Sequence, residues 1–379
     1  MIKILKPYLK DNGNTCRLEA EFVRKGIREH IWFEVQKEYS EYLVFERVDP
    51  FITALLLYAM KNGEDIYVDE PMSEKLYYGL TNNLIKVLSK VFGFKPIKIY
   101  CSKLESQPIS NTGSVGTGLS CGIDSFSTIS EHLSENCPQD MRITHFTFFN
   151  VGSHRDYGGV EGRTLFKERF LKVEPLAKEM GIPLIFVDSN ISEILQLDFQ
   201  QTHTIRSMAA VMALQKLFKI YYYSSSYPLE NFQLKKKDSA YYDIFNLNML
   251  STETTTLYST GALYNRVEKT KIVAGFEPAQ RFLNVCVIED SNCGVCFKCL
   301  RTLITLDILG EIEHFNKVFD LNNYFNHREK HLARILADRK YDLFLQEIYD
   351  EIVKQEYKLT LFSRVWSVLI RLKRIVLSK

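Results

Sequence analysis

The stretch VGTGLSCGIDS at residues 115–125 decides the fold, because it joins a buried-strand pattern to a helix start through a short loop. The apolar run Val115–Leu119 is typical of a strand, and a helical window covers residues 124–134. Two more helical windows, over residues 162–180 and 203–218, alternate with three apolar runs: Ile143–Phe149, Ile182–Val187 and Ile220–Ser224. This alternation predicts an α/β fold with a doubly wound parallel sheet.

We interpret the turn between the first strand and its helix as a phosphate-binding loop. Its residues are Ser120, Cys121, Gly122, Ile123, Asp124 and Ser125. Successive backbone N–H groups ahead of a helix N-terminus attract an anion, and glycine allows a ligand close to the backbone. The serine hydroxyls can donate to phosphate oxygens, and the aspartate can hold a Mg²⁺ ion. An ordinary capped turn explains the same residues, so the loop alone leaves both interpretations open.

A second motif lies near the C-terminal third of the chain, where four cysteines follow a C-x6-C-x2-C-x2-C spacing: Cys286, Cys293, Cys296 and Cys299. Four thiolates at such spacing can close a tetrahedron around Zn²⁺, with Gly294 easing the turn. A site with four protein ligands has no open position, so we predict a structural zinc knot. An iron–sulfur cluster uses the same ligands, and spacing does not separate the two.

The loop and the cysteines together resemble the PP-loop ATP pyrophosphatases, in particular the 7-cyano-7-deazaguanine synthases, which join an SGGxDS loop to a four-cysteine zinc site. The similarity covers roughly residues 114–310, and Cys121 stands where the family has glycine. The resemblance implies an adenine nucleotide alpha hydrolase-like fold and cleavage of ATP between its α and β phosphates. It also implies ATP, Mg²⁺ and Zn²⁺ as the bound groups.

Two further positions come from the resemblance. Arg206 begins a helix where the family has an Arg-Asn pair, and Lys269 lies in a segment similar to a helix start whose lysine meets the nucleotide phosphates, with Arg266 beside it. The resemblance therefore implies Asp124, Arg206 and Lys269 as catalytic residues. Solvated helix faces explain the arginines and the lysine as well.

The length of 379 residues predicts more than one domain. Short alternating runs, among them Tyr42–Val48, mix with helical stretches up to residue 102 and predict an N-terminal α+β domain. A polar segment at 103–113 is interpreted as a linker, residues 114–310 as the PP-loop domain, and residues 311–379 as a helical C-terminal region.

The implied function is that of an ATP-dependent C–N ligase, which adenylates a carboxylate, releases pyrophosphate and forms an amide or nitrile. The expected substrates are a small-molecule, peptide or protein-terminus carboxylate and an amine or ammonia. Two alternatives stay open: a PP-loop enzyme that inserts sulfur into tRNA, and a non-catalytic nucleotide-binding or scaffold module, for which Cys121 is the motivating departure.

The charge balance, 48 basic against 46 acidic residues for a net +2, argues against a nucleic-acid partner. The N-terminus lacks a secretory pattern, so a cytoplasmic location is expected. The last helical stretch, Leu359–Lys379, combines basic and apolar residues without an acidic one. It predicts peripheral contact with an anionic membrane. Docking on the catalytic domain or on a partner subunit in a homodimer is the alternative.

Overall fold

The computed structural model describes residues 1–377, and residues 375–377 by their backbone alone. Contacts divide the chain into two compact units. Unit 1 comprises Met1–Leu119 and His132–Thr260, and unit 2 comprises Ser120–Glu131 and the chain from Gly261 onward. These units differ from the predicted domains, whose boundaries lay at residues 102, 113 and 310.

Unit 1 is built on a large twisted sheet. Its strands are β1 (Ile2–Ile4), β2 (Tyr8–Asp11), β3 (Thr15–Arg24), β4 (Ile27–Gln36), β5 (Ile66–Val68), β6 (Met72–Ser73), β7 (Ile99–Cys101), β8 (Leu104–Glu105), β9 (Ser114–Gly118), β10 (His145–Asn150), β11 (Leu184–Ser189), β12 (Phe218–Ser224) and β13 (Thr256–Thr260). The sheet order is β13-β12-β9-β10-β11-β4-β3-β1-β5-β7, with β2 added to β3, while β6 and β8 form a separate pair.

Most neighbouring strands in this sheet are parallel. The run from β13 to β11 is parallel throughout, as is the run β1-β5-β7. The pairs that involve β3 or β4 are antiparallel. The predicted α/β class with a mostly parallel sheet is therefore confirmed.

One antiparallel contact explains why residues 1–102 do not form a unit of their own. In the β4–β11 pair, Phe33 lies opposite Ser189, and the Ser189 hydroxyl donates to the Trp32 carbonyl at 2.7 Å. The N-terminal strands thereby extend the same sheet that the later strands begin. The predicted separate N-terminal α+β domain is corrected to one end of a continuous sheet.

The helices follow in chain order: α1 (Asp49–Asn62), α2 (Glu74–Tyr78), α3 (Ile85–Phe92), α4 (Ile123–Leu133), α5 (Gly159–Glu179), α6 (Ile191–Leu195), α7 (Phe199–Met212), α8 (Asp243–Leu250), α9 (Arg266–Ala274), α10 (Glu277–Phe282), α11 (Phe297–Ile308), α12 (Leu321–Asp338), α13 (Leu343–Lys354) and α14 (Leu361–Leu377). A π-helical turn at Gly79–Leu84 joins α2 to α3. Up to residue 377, the C-terminal region that was predicted as helical holds α12, α13 and α14.

The predicted strand Tyr42–Val48 is wrong. A 3-10 helix covers Lys37–Tyr42, and the chain that follows is irregular. Leu43, Val44 and Val48 are buried all the same, while Phe45 is exposed, and the Val44 N–H donates to the Ala213 carbonyl just past the end of α7. Burial against a helix end therefore produced the apolar run that suggested a strand.

The core of unit 1 lies between its sheet and the helices α1 and α7, which pack on each other. Both helices are buried on almost every side. Strands that are covered on both faces consist of continuous apolar runs. The sequence therefore predicted β10, β11 and β12 as strands.

Candidate functional site

The predicted phosphate loop lies between the end of β9 at Gly118 and the start of α4 at Ile123. Its two serines organise the turn: the Ser120 N–H donates to Ser125 Oγ at 3.3 Å, and the Gly122 N–H donates to Ser120 Oγ at 3.4 Å. Ser120 is exposed, so its hydroxyl is accessible to a ligand. An ordinary capped turn would have the same hydrogen bonds, so they do not separate it from a phosphate-binding loop.

Cys121 occupies the one loop position where glycine would be favoured. Its φ is +57°, in the left-handed region, and its side chain is buried. Burial raises the pKa of the Cys121 thiol to about 12, so the group stays a neutral thiol at physiological pH. The backbone is fixed from the other side, because Asn284 N–H donates to the Cys121 carbonyl at 2.8 Å.

Gly122 differs from Cys121 in that its own structure does not require glycine. A Cβ atom placed there would meet Ser120 Oγ at 3.5 Å and the Asn284 carbonyl oxygen at 3.9 Å, both ordinary contacts. A side chain would therefore fit there without a shift of its neighbours, so a need for glycine at this position would come from a ligand.

Asp124 anchors a charged cluster in the first turn of α4. Its carboxylate pairs with Arg266 Nη2 at 2.9 Å and with Lys269 Nζ at 3.2 Å. Burial opposes ionisation of Asp124, but these two cations outweigh it and hold the pKa of the carboxyl below its ordinary value. The structure thus brings together two of the three predicted catalytic residues, Asp124 and Lys269.

The sequence places both cations on the same helix start. Asn265 caps α9 by accepting from the Glu268 N–H at 2.9 Å, and the Glu268 carboxylate returns the contact to the Asn265 N–H at 2.8 Å. This capping box fixes the first turn of α9, from which Arg266 and Lys269 extend. Lys269 is 1% exposed, so the alternative of a solvated helix face does not hold for it.

Two more cations of unit 2, Lys298 and Arg301 on α11, interact electrostatically with the Asp124 carboxylate. Neither side chain forms an ion pair with any residue that the structure describes. The Arg301 guanidinium lies over the Phe344 ring at 3.9 Å, and burial together with Arg266 lowers its pKa to about 10, so it stays charged at neutral pH. The cluster therefore holds more cations than paired carboxylates.

Glu347 on α13 is the nearest further carboxylate. It accepts the backbone N–H of Arg266 at 2.9 Å, and burial raises its pKa. It supports the chain at the start of α9 and forms no ion pair with the four cationic side chains, but its charge acts on Arg266, Arg301 and Lys269. Lys298 and Arg301 form no ion pair with a described residue, so they are the cations that a bound anion would stabilise.

A small cleft of about 80 Å³ borders Arg301 in unit 2. Its walls are mostly apolar and include Leu300, Ile304 and Leu345, while His331 and Arg334 stand at its polar part. A cleft with few polar groups on an apolar wall suits a small apolar group better than a polar one.

Arg206, the third predicted catalytic residue, belongs to unit 1 and is fully buried. Its guanidinium donates to the carbonyl oxygens of Val151 at 3.3 Å and Asp156 at 2.9 Å, and also to that of Leu197. These bonds hold the loop after β10 and the N-terminal end of α7 together. The alternative of a solvated residue is wrong, and the contacts within unit 1 favour a structural role.

The four predicted metal ligands converge. The sulfur atoms of Cys286, Cys293, Cys296 and Cys299 all lie within 4.8 Å of one another, and two of them, Cys293 and Cys299, are 4.0 Å apart. In a tetrahedron with Zn–S bonds of about 2.3 Å the sulfurs are about 3.8 Å apart. The cluster is thus slightly wider than a filled site and fits a metal ion such as zinc.

Backbone N–H groups surround these sulfurs as they do in metal–thiolate sites. Cys286 Sγ accepts from the N–H groups of Ile288 at 3.4 Å and Glu289 at 3.2 Å, and Cys293 Sγ accepts from the Cys296 N–H at 3.3 Å. Burial opposes deprotonation of Cys286, yet its N–H bonds lower its pKa to about 6. Thiolates stabilised in this way are ready ligands.

The knot also begins α11. Cys296 is the N-cap of this helix, and its sulfur accepts from the Cys299 N–H at 3.4 Å. Lys298 and Arg301 lie in the first turns of the same helix. The metal site and half of the cation cluster therefore depend on one short segment.

A separate polar cluster lies in unit 1 beyond the end of β12. His203 hydrogen-bonds Tyr223 through Nδ1 and Asp238 through Nε2 at 3.3 Å. Asp243 is buried close by, and burial raises its pKa to about 6. Tyr221 and Tyr222 are each 2% exposed, which supports core packing for these tyrosines.

Comparison with known proteins returned no relative: no protein-family model, no curated protein and no solved structure matches the chain.

Sequence reasoning missed two residues of the charged cluster, Lys298 and Glu347. Lys298 had a signal, since Lys298 and Arg301 are three residues apart in a segment that begins a helix. Glu347 had none.

Proposed function

We propose that this chain is an ATP-dependent enzyme of the PP-loop pyrophosphatase type, which joins a carboxylate to an amine. The observation that carries the proposal is the pair of cations beside the loop that forms no ion pair with a described residue, Lys298 and Arg301, next to the Asp124–Arg266–Lys269 cluster. A di- or triphosphate matches this cluster because it supplies several negative oxygens to the unpaired guanidinium and ammonium groups.

In the proposed reaction, a carboxylate oxygen attacks the α-phosphorus of ATP and the bond to the β-phosphate breaks, which yields an acyl-adenylate and pyrophosphate. An amine or ammonia then attacks the acyl carbon, loses a proton and displaces AMP. The cations stabilise the charge that grows on the departing pyrophosphate. Asp124 orients Arg266 and Lys269 and is the carboxylate available to a Mg²⁺ ion that would neutralise phosphate charge.

The acceptor lies beside the cleft next to Arg301 in this proposal. The apolar wall at Leu300, Ile304 and Leu345 would contact the apolar part of the acceptor. This arrangement favours a carboxylic acid with an apolar portion. The zinc knot supplies no chemistry of its own, since a site with four protein ligands leaves no open position.

A non-catalytic nucleotide-binding module is the second candidate, and Cys121 favours it. A non-glycine residue at φ +57° stiffens the loop at the position where the ligand approaches. Such a module would bind nucleotide through the same cations and release no product. The assay below separates the two candidates.

The test measures pyrophosphate and AMP formed from Mg·ATP with a panel of carboxylic acids and ammonia. Lys298→Gln is the informative variant, because its ammonium forms no ion pair with a described residue and its loss should leave the fold in place. Removing Asp124 is less clean, since it leaves Arg266 and Lys269 without their counter-charge. The matched control is Lys271→Gln on the exposed side of α9.

We expect Lys298→Gln to weaken pyrophosphate binding by roughly 10-fold or more, the factor for a charge-assisted hydrogen bond of about 1.5–3 kcal/mol. Lys271→Gln should match the parent. Formation of ADP and phosphate would contradict the proposal, as would equal binding by both variants. Binding of ATP without product, for every acid tested, would favour the non-catalytic module.

A further inference from the structure

The last helix, α14, packs on α12 by an unusually small and polar face. Its buried side chains are Ser363, 0% exposed, and Ser367, 4% exposed. Arg371 donates to the Leu336 carbonyl, and Arg374 pairs with Asp338 of α12. Among the large apolar residues of α14 whose side chains the structure describes, only Ile370 is half-buried, on the same face as these serines.

The opposite face carries the other large apolar residues, and it is exposed. Their side chains range from 40% to 78% exposed: Leu361, Phe362, Val365, Trp366, Val368, Leu369 and Leu372. At 100° per residue they span an arc of roughly 160°, centred away from the serines. A continuous exposed apolar arc of this width marks an interaction surface.

Basic residues border this arc. Arg364 and Arg371 lie along one edge and Lys373 near the other, and no acidic residue occurs in the sequence from Lys358 to Lys379. Lys379, Ile375 and Val376, which also belong to this pattern in the sequence, lie outside the residues whose side chains the structure describes. A helix with this pattern has positive charge at the level where an apolar surface would begin.

We infer that the apolar arc of α14 binds flat on an anionic lipid surface, with Arg364 and Lys373 at the headgroups. The Phe362 and Trp366 rings stack with centroids 5.5 Å apart, which gives a rigid aromatic pair of the kind enriched at membrane interfaces. No described helix is long and apolar enough to pass through a bilayer, so the contact is with the surface. This inference does not depend on the proposed enzyme activity.

Charge decides between a membrane and a second copy of the chain. A two-fold symmetric pair would place the arc of one helix against the same arc of the other, and would bring the bordering cations together without an acidic residue of α14 between them. Anionic headgroups provide the missing negative charge and the apolar layer at once. We therefore expect the test to show binding to lipid and no dimer formed through α14.

The test is flotation of the full chain with vesicles of phosphatidylcholine that contain phosphatidylserine, compared with phosphatidylcholine alone. We expect flotation with the anionic vesicles only, and its loss at high salt. Val365→Ser with Leu369→Ser should abolish it. Arg364→Gln with Lys373→Gln should weaken it roughly 30-fold, the factor for about 1 kcal/mol per basic residue at the headgroups.

The control pair is Val160→Ser with Leu171→Ser on α5, whose side chains are 82% and 65% exposed. It should float like the parent. In a Trp32→Phe background, Trp366 becomes the single tryptophan, and its emission should shift to shorter wavelength with anionic vesicles. Equal flotation of parent and Val365→Ser/Leu369→Ser would overturn the inference, and so would a lipid-free dimer that this variant converts to monomer.

Discussion

At the scale of single residues, the backbone at Cys121 decides how well the loop suits its proposed role. Its φ of +57° is a conformation that costs a non-glycine residue roughly 1–2 kcal/mol. Cys121→Gly removes this strain, while the greater freedom of glycine in the unfolded chain takes back about 0.5–1 kcal/mol. Loss of the buried thiol costs stability as well, so we expect urea unfolding to show a stability within about 1 kcal/mol of the parent, and pyrophosphate binding to be retained or tighter. A large loss of binding would instead assign the thiol a role of its own.

Asp243 is the residue whose charge state should govern stability near neutral pH. Burial raises its pKa to about 6, above its ordinary value of 3.8, so the folded chain favours the protonated form. Its contribution to stability is full below pH 3.8 and is lost as the pH rises through about 6.

Asp243→Asn removes this titration and keeps an oxygen that can accept from Ser259, now at 3.2 Å. We therefore expect the parent to lose about 2–3 kcal/mol of unfolding free energy between pH 4 and pH 7 that the variant does not lose. Urea unfolding at the two pH values measures it, with exposed Asp140→Asn as the control. A difference between variant and parent that does not change with pH would contradict the assignment.

At the scale of elements, the sequence predicted strands and helices wherever the residues of one element alone determine its hydrophobic pattern. The strand–loop–helix order around Ser120–Ser125 and the cysteine spacing are local, so sequence located both. The antiparallel pairing of β4 with β11 joins positions far apart in the chain, and no local sequence pattern predicts it. For the same reason the meeting of α9, α11 and α13 around Asp124, which brings in Lys298 and Glu347, escaped sequence reasoning.

The knot that begins α11 should be a zinc site on which this element depends. We expect one zinc per chain by elemental analysis, and Cys296→Ser to lose the metal and several kcal/mol of stability, since structural zinc contributes about 10–16 kcal/mol in small zinc-folded peptides. Cys137→Ser, a half-buried cysteine of unit 1, is the matched control and should keep both. Iron with acid-labile sulfide would replace zinc by a cluster and favour the tRNA sulfur-insertion alternative.

At the scale of the whole chain, unit 2 is assembled from two segments that the second part of unit 1 separates in sequence. The loop segment supplies Asp124, and the C-terminal segment supplies the four-cysteine cluster and the cations. Because Cys296 caps the helix that carries Lys298 and Arg301, the metal and a bound phosphate should stabilise the same arrangement.

This sharing predicts a reciprocal coupling between zinc and pyrophosphate. Removal of zinc by a chelator should weaken pyrophosphate binding by about 5-fold to 150-fold, the range of ordinary coupling between sites, although no cysteine is expected to contact the phosphate. Linkage requires pyrophosphate to slow or reduce zinc loss by the same equilibrium factor. Calorimetric titration of the zinc-loaded and zinc-depleted chain with pyrophosphate measures the first effect, and a zinc-release assay with a chromophoric chelator measures the second. Lys298→Gln should reduce both effects together while zinc stays bound, because it removes a phosphate contact and no metal ligand. Equal pyrophosphate affinity with and without zinc would show that α11 keeps its place without the knot.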